Sequence, residues 1–403
     1  MNPNDPGVSL TGAEAGALHE AGASSPGPVS GGDRPAGRPR VLVVTTWLPT
    51  PAHPVMGSFV QRDIAALAAV ADVRVVHLCR PSLLAGAPAR DSIAAGERRV
   101  PVERIAFEPG RPWRWGAARR RLRALASACD VVHTMAFSSA LPFLARRPGK
   151  RWVHTEHWSL FVQPATGWRR RLPGLAARLL RRPDATVGVS AFLAGRLEEL
   201  TGRPVVAVPN IVDVPPPAPR TPVGARGRAD GSLRLMGVGG LVPGKRPLLA
   251  VEVTAELRRR GVAADLTWFG DGELRAEVEE LASRLGVPLT LTGFVPHGEL
   301  RQRYRDFDLF LGTTAFETFY LGAAEALASG RPVVAGGEGG HAAFVLPPAG
   351  RIVAGQDPAA FADAVQAVLA DCDELSAQEI GAELRRDYSA AALARAYLAL
   401  YRG

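Results

Sequence analysis

A chain of 403 residues, 47% hydrophobic and with a formal net charge of +9, is long enough for two packed cores at roughly 100–200 residues per domain. Its three cysteines, Cys79, Cys129 and Cys372, stand too far apart for a disulfide framework or a metal-ligand spacing, which points to a reducing cytoplasm. No run of about 18 apolar residues offers a membrane span, and no recognised nucleic-acid module accompanies the positive charge.

Residues 1–38 have neither a basic n-region nor an apolar h-region. They read as a disordered Gly/Pro/Ser/Ala tail rather than a signal peptide. VLVVTT (41–46) is a β-branched run of the kind buried in parallel sheets. DVRVVHL (72–78), DVVHT (130–134), RWVHT (151–155), ATVGVS (185–190) and PVVAVP (204–209) follow, with helical patterns such as FVQRDIAALAAV and AFLAGRLEEL between them. This alternation predicts a doubly wound α/β domain over 39–213. VPPPAPRTPVGARGRADGS (214–232) is too rich in proline and glycine for a packed element and reads as a linker.

The alternation resumes over 233–387, with strands in LRLMGVGG, ADLTWFG, PLTLTG, DLFLG and RPVVAG. Helices are predicted near 358–371, 376–386 and 389–402. Two Rossmann-like domains facing a cleft are the expected fold, with ligands beyond the carboxyl ends of the strands.

Charge is uneven. Residues 40–210 hold 26 Lys and Arg against 11 Asp and Glu. The runs RPWRWGAARRRLR (111–123), RRPGKR (146–151) and WRRRLPGLAARLLRR (168–182) suit an anionic membrane surface or a phosphorylated ligand, and equally an ordinary solvated helix face.

Two motifs imitate other chemistries. GGLVPGK (239–245) has phosphate-loop spacing, but Arg246 stands where a magnesium-binding Ser/Thr belongs, and Pro243 removes a backbone donor. Neither half opens with Gly-x-Gly-x-x-Gly, which argues against a nicotinamide dehydrogenase. Asp306-Phe307-Asp308 has the form of a metal–diphosphate motif, yet it lies at the entry to a strand and reads as structural. No metal site is expected.

The stretch FETFYLGAAEALASGRPVV (316–334) carries Glu317 and Glu325 around a short apolar helix expected to begin near Thr318–Tyr320. Its first backbone N–H groups suit a diphosphate. Eight helical residues would separate the carboxylates by roughly 12 Å, and each could accept two hydroxyls of a sugar ring. Read alone, Glu317 is equally a capping acid and Glu325 a solvated helix residue.

Glu317-x7-Glu325 followed by ALASGRPVV resembles the donor-site signature of the retaining family 4 glycosyltransferases of GT-B fold. The likeness runs through residues 40–403 and includes Gly57 in VMGSFV, DVVHT, VHTEHWS, GVSAFLAGRL and PNIVD. It continues with VGGLVPGK, FGDGEL, TGFVPHGEL and the GGEGG segment (336–340). The resemblance implies a nucleotide-sugar donor as co-substrate, no cofactor and no metal. It also implies a final helix (388–403) crossing back to the first domain. The acceptor would be a sugar, lipid-linked or small molecule, with lipid-linked or envelope glycan intermediates favoured and a specialised metabolite or a non-catalytic binding role as alternatives. It would be bound partly by loops such as 80–100, and the protein would be cytoplasmic, peripheral to the inner face of the plasma membrane through its basic half.

Roles follow residue by residue from that resemblance. Glu317 would sit by the transferred sugar and Glu325 by the ribose. Amides around Phe319, Tyr320 and Leu321 would meet the diphosphate, with Lys245 neutralising it beside Gly239. Gly57 would let the first domain approach the donor, and His157 would orient the sugar, with His154 and His133 as rivals. Val295, in the TGFV segment, would wall the base pocket. Two departures stand out: Gly240 replaces the family's usual arginine, leaving Arg246 to supply that charge, and Ala343 replaces its usual glutamate. Retention by paired carboxylates would need a separation of about 5–5.5 Å. With one glutamate assigned to ribose, front-face displacement is the expected mechanism.

Overall fold

The structure is a computed structural model that describes residues 37–54, 56–84, 86–162, 172–217 and 231–403. The expected tail falls almost wholly outside these residues. So do most of the expected linker and the start of the basic run at 168–182.

The first sheet has eight strands: β1 (Arg40–Thr45), β2 (Asp72–Cys79), β3 (Arg90–Ala95), β4 (Arg98–Ala106), β5 (Val131–Met135), β6 (Arg151–Glu156), β7 (Ala185–Gly188) and β8 (Val205–Ala207). Their order is β3-β4-β2-β1-β5-β6-β7-β8. All pairings are parallel apart from β3 with β4. Val41, Leu42, Val43 and Val44 are fully buried, as a strand covered by helices on both faces requires.

The second sheet has order β11-β10-β9-β12-β14-β16. Its strands are β9 (Leu233–Val238), β10 (Ala264–Phe269), β11 (Leu289–Gly293), β12 (Leu309–Gly312), β14 (Val333–Gly336) and β16 (Gly350–Val353), all paired in parallel. A small parallel pair, β13 (Phe316–Glu317) with β15 (Glu338–Gly339), lies after β12. Both sheets reverse strand order beside their first strand, between β1 and β5 and between β9 and β12. These are the crevices where such folds bind ligands.

Residues 80–100, expected as acceptor loops, instead contain β3 and the start of β4. Gly96, with φ 62°, turns the hairpin. β3 is the edge strand of the sheet and opens with Arg90 and Asp91, charges that suit an edge and hide the strand pattern.

The closing helix, Ala390–Arg402, returns to the first sheet. Its Leu393, Tyr397 and Tyr401 share an apolar cluster with Val41, Val75 and Val131. Tyr401 Oη lies 2.7 Å from His133 Nδ1, and His133 Nε2 lies 2.7 Å from Thr155 Oγ1, which is 2.7 Å from Tyr397 Oη. A second cluster joins helix Ala191–Thr201, through Leu193 and Leu197, to the core of the second sheet.

Candidate functional site

Among the contacts that join the two sheet regions, three lie at the site. Ser190, which caps helix Ala191–Thr201 after β7, donates to the carbonyl of Thr318 at 2.5 Å. Arg301 pairs with Asp213 at 2.7 Å. Arg62, on the helix Ser58–Leu67 that follows Gly57, reaches Glu325 Oε1 at 3.4 Å.

The helix expected from Thr318 begins later, as Leu321–Ala328, because Tyr320 adopts a left-handed backbone with φ 75°. Glu317 therefore belongs to β13, and the eight-residue helical rise does not separate the two glutamates. A non-glycine residue at positive φ carries strain of about 1–3 kcal/mol. Here its ring is held beneath Lys245 Nζ, 5.2 Å from the centroid, and against Phe310 and His341. Phe319 is packed on Phe344 and Tyr388, so at Phe319 and Tyr320 the side chains are buried and the backbone is the part left for a ligand.

The glutamates have different surroundings. Glu317 pairs with Lys245 Nζ, and its side chain is 13% exposed. Glu325 is buried. Its Oε1 lies 2.6 Å from His297 Nε2, and its Oε2 accepts from Tyr304 Oη at 3.0 Å. Burial, with the Glu325 carboxylate second, pushes the Tyr304 hydroxyl well above its ordinary pKa, so it stays a donor. A carboxylate offers about four acceptor positions, and Arg62, His297 and Tyr304 fill three.

Lys245 closes the short turn Pro243–Lys245 after β9, and Gly239 lies beneath it: a Cβ there would stand 3.2 Å from Lys245 Cε. Arg246 sits in a left-handed backbone at the start of helix Pro247–Arg259, and its side chain forms no ion pair with either glutamate. A Cβ at Gly240 would meet nothing nearer than 3.5 Å, so this position is open to a side chain. Val295 is half-buried in the loop beyond β11. Asp308 accepts from the Arg234 backbone at 2.7 Å and Asp306 pairs with Arg303, both structural roles. Among the described residues, no group of three or more His, Cys, Asp or Glu is clustered for a metal ion.

Two glycines shape the approach. Gly57 has φ 75°, and a Cβ there would fall 2.4 Å from the Trp47 carbonyl carbon. Gly339 lies so close to the Glu317 backbone that a Cβ would stand 2.1 Å from its carbonyl oxygen. Both backbones are closer than any side chain permits. His157, after β6, is buried against Phe59 and Trp47 with ring centroids at 5.0 and 6.1 Å. Burial lowers its pKa to about 4, Glu156 opposing, and keeps it neutral. His154 and His133 lie deeper, bonded to Thr134 and Thr155.

The cleft thus brings Glu317, Lys245, Gly239 and the Tyr320 backbone together, with Glu325 more deeply buried on helix Leu321–Ala328. Arg62, His297 and Tyr304 went unnoticed in sequence. A lone arginine five residues after Gly57, and the histidine inside TGFVPHGEL, were the available signals.

Comparison with known proteins identifies related families and folds. The family described as "Glycosyl transferases group 1" matches residues 232–371, and "Glycosyltransferase Family 4" matches residues 64–215. The chain is 33% identical over 288 residues to a D-inositol 3-phosphate glycosyltransferase of Nocardia farcinica, covering 64% of this chain and 62% of the relative. It is 34% identical over 272 residues to that of Frankia alni, covering 60% and 65%. The match thus spans slightly under two thirds of these relatives' length.

In fold it is similar to a sucrose-phosphate synthase from Thermosynechococcus elongatus, with TM-score 0.70, 19% identity, and coverage of 90% of this chain and 98% of that one. It is also similar to Anabaena Alr3699/HepE in complex with UDP and glucose, with TM-score 0.67, 16% identity, and coverage of 91% and 100%. The two-domain architecture is therefore the GT-B fold.

Proposed function

We propose that this chain, which belongs to the group 1, family 4 glycosyltransferases, moves a hexose from a nucleotide-sugar donor to an acceptor hydroxyl. One observation carries the reading: the tip of helix Leu321–Ala328 lies between two carboxylates in different surroundings, with Lys245 against one of them. Glu325 receives the ribose hydroxyls. The helix amides and Lys245 hold the diphosphate, and Glu317 holds the transferred sugar.

Lys245 and the helix end supply the charge stabilisation that a divalent cation provides in other transferases, so we propose a metal-independent reaction. Only Glu317 is assigned to the sugar, which favours retention by front-face displacement: the departing phosphate oxygen takes the acceptor proton, and the acceptor oxygen bonds to the anomeric carbon on the same face. The relative fold of HepE, crystallised with UDP and glucose, supports a nucleotide-sugar donor. The test is nucleoside diphosphate release from UDP-, GDP- and ADP-sugars, with and without EDTA. EDTA-resistant release from at least one donor is expected, and no release from any would contradict the reading.

A membrane-proximal acceptor is favoured by one surface feature. Trp113 is 76% exposed between Arg111 and Arg114, and Leu144 is 49% exposed next to Arg146 and Arg147. Arg119 is committed to Trp115 and Pro142, and Arg121 to Glu103, so Arg120 and Arg123 remain the appropriate residues for charge reversal. Co-sedimentation with phosphatidylglycerol vesicles, lost in Arg120→Glu/Arg123→Glu, is expected. Absence of sedimentation by the unmodified protein would remove this reading.

A further inference from the structure

One wall of the first domain is built from the carboxyl ends of β1, β5 and β6, and its chemistry bears on the acceptor. The register sets Thr45 beside Met135 and Met135 beside Thr155, so the residues just beyond these strands share one edge. Trp47 and Phe59 meet edge-to-face at 5.8 Å, and Phe137 and Trp158 stack at 6.0 Å with planes 20° apart. All four rings are half-buried, leaving part of each surface accessible. Between them, Thr46 Oγ1 and Ser138 Oγ pair at 2.6 Å across the β1/β5 crevice. His157 is 6% exposed, and neither of its ring nitrogens has a hydrogen-bond partner among the described residues.

Among the described residues, the segments that form this edge, 45–48, 136–139, 156–159 and 189–192, hold no lysine or arginine. The charged group here is the buried Glu156 carboxylate, which accepts from the His157 and Trp158 backbones at 2.8 Å each. Arg62, the nearby cation, is engaged by Glu325. A phosphate on the acceptor would therefore lose its water against hydroxyls, aromatic faces and a like charge, without a charge-assisted partner. A neutral polyhydroxylated ring fits better: its C–H faces cover aromatic rings, and its hydroxyls bond Thr46, Ser138 and His157. Burial keeps His157 uncharged, which adds no attraction for an anion.

We infer that the acceptor presents an uncharged sugar or cyclitol ring, without a phosphate on that ring, against Trp47 and Trp158. This rests on the transferase reading. It also separates this chain from its relatives named for D-inositol 3-phosphate. The ring can be free or carried on a lipid, since the contacts concern the ring alone.

The experiment is saturation-transfer NMR on the full chain with its best nucleoside diphosphate present. The probes are methyl glucoside, methyl galactoside, methyl mannoside and myo-inositol, each against its monophosphate counterpart. At least one neutral ring should receive saturation at tenfold or greater excess over its phosphate. Trp158→Ala should abolish that signal and Trp158→Phe should retain it, while nucleotide affinity stays within about twofold in both. Preference for a phosphorylated ring, no transfer to any neutral ring, or a signal unchanged in Trp158→Ala would each overturn the inference. Loss of nucleotide binding in the unmodified protein would instead refute the transferase reading itself.

Discussion

Arg62 and Glu325 meet across the cleft, 263 positions apart in sequence, with the guanidinium 3.4 Å from a carboxylate that is 2% exposed. Removing one member of a buried pair leaves the other uncompensated, whereas removing both need not cost stability. Arg62→Met should destabilise the protein by about 1–3 kcal/mol, and Arg62→Met/Glu325→Gln should recover most of that loss. Denaturant titration of the four-member cycle checks this. Additive effects would mean the pair is not coupled.

Glu317→Ala removes the carboxylate assigned to the transferred sugar. Turnover should fall by about 100-fold or more, with donor KM changed by less than about fivefold. Initial-rate kinetics on the donor found by nucleotide release would detect the split. Full turnover in this variant would remove Glu317 from the reaction.

Lys245→Ala should lower turnover by a similar factor of about 100–1,000, since one fixed charge at a departing diphosphate contributes that much. A donor with a better leaving group, such as one whose diphosphate carries a difluoromethylene bridge, should narrow the deficit. An equal deficit for both donors would assign Lys245 to substrate binding instead.

Asp63 gives a pH signature independent of catalysis. It is 3% exposed, and burial raises its pKa to about 7, Arg62 opposing. Unfolded, an aspartate ionises near 4. Between these values the folded state binds more protons, so stability falls as pH rises from about 4 through about 7. Asp63→Asn removes this dependence, while the buried histidines contribute equally to both proteins. The variant's advantage in unfolding free energy should grow by about 2–4 kcal/mol from pH 4 to pH 8. A difference that is flat with pH would contradict a protonated Asp63.

Much of the fold was legible because central parallel strands are continuous apolar runs, and VLVVT or DVVHT suits little else. The β3–β4 hairpin was hidden by its charges, and Gly350–Val353 by its brevity. Within the site, the glutamate spacing was readable, but the geometry around it was not. A left-handed Tyr320 delays the helix by up to three residues, and that conformation depends on Lys245, Phe310 and His341, which arrive from other segments. The partners of Glu325 come from three separate elements, so only tertiary packing could reveal them.

The account turns on the two acids gripping different parts of one donor, and calorimetric titration separates them. The ligand is whichever of UDP, GDP and ADP the unmodified protein binds most tightly, because a nucleoside diphosphate carries ribose but no transferred sugar. Glu325→Gln should weaken that binding at least about tenfold, or about 1.4 kcal/mol, while Glu317→Gln leaves it within about threefold. Equal affinity for Glu325→Gln and the unmodified protein would contradict the assignment of Glu325 to the ribose and the reading built on it.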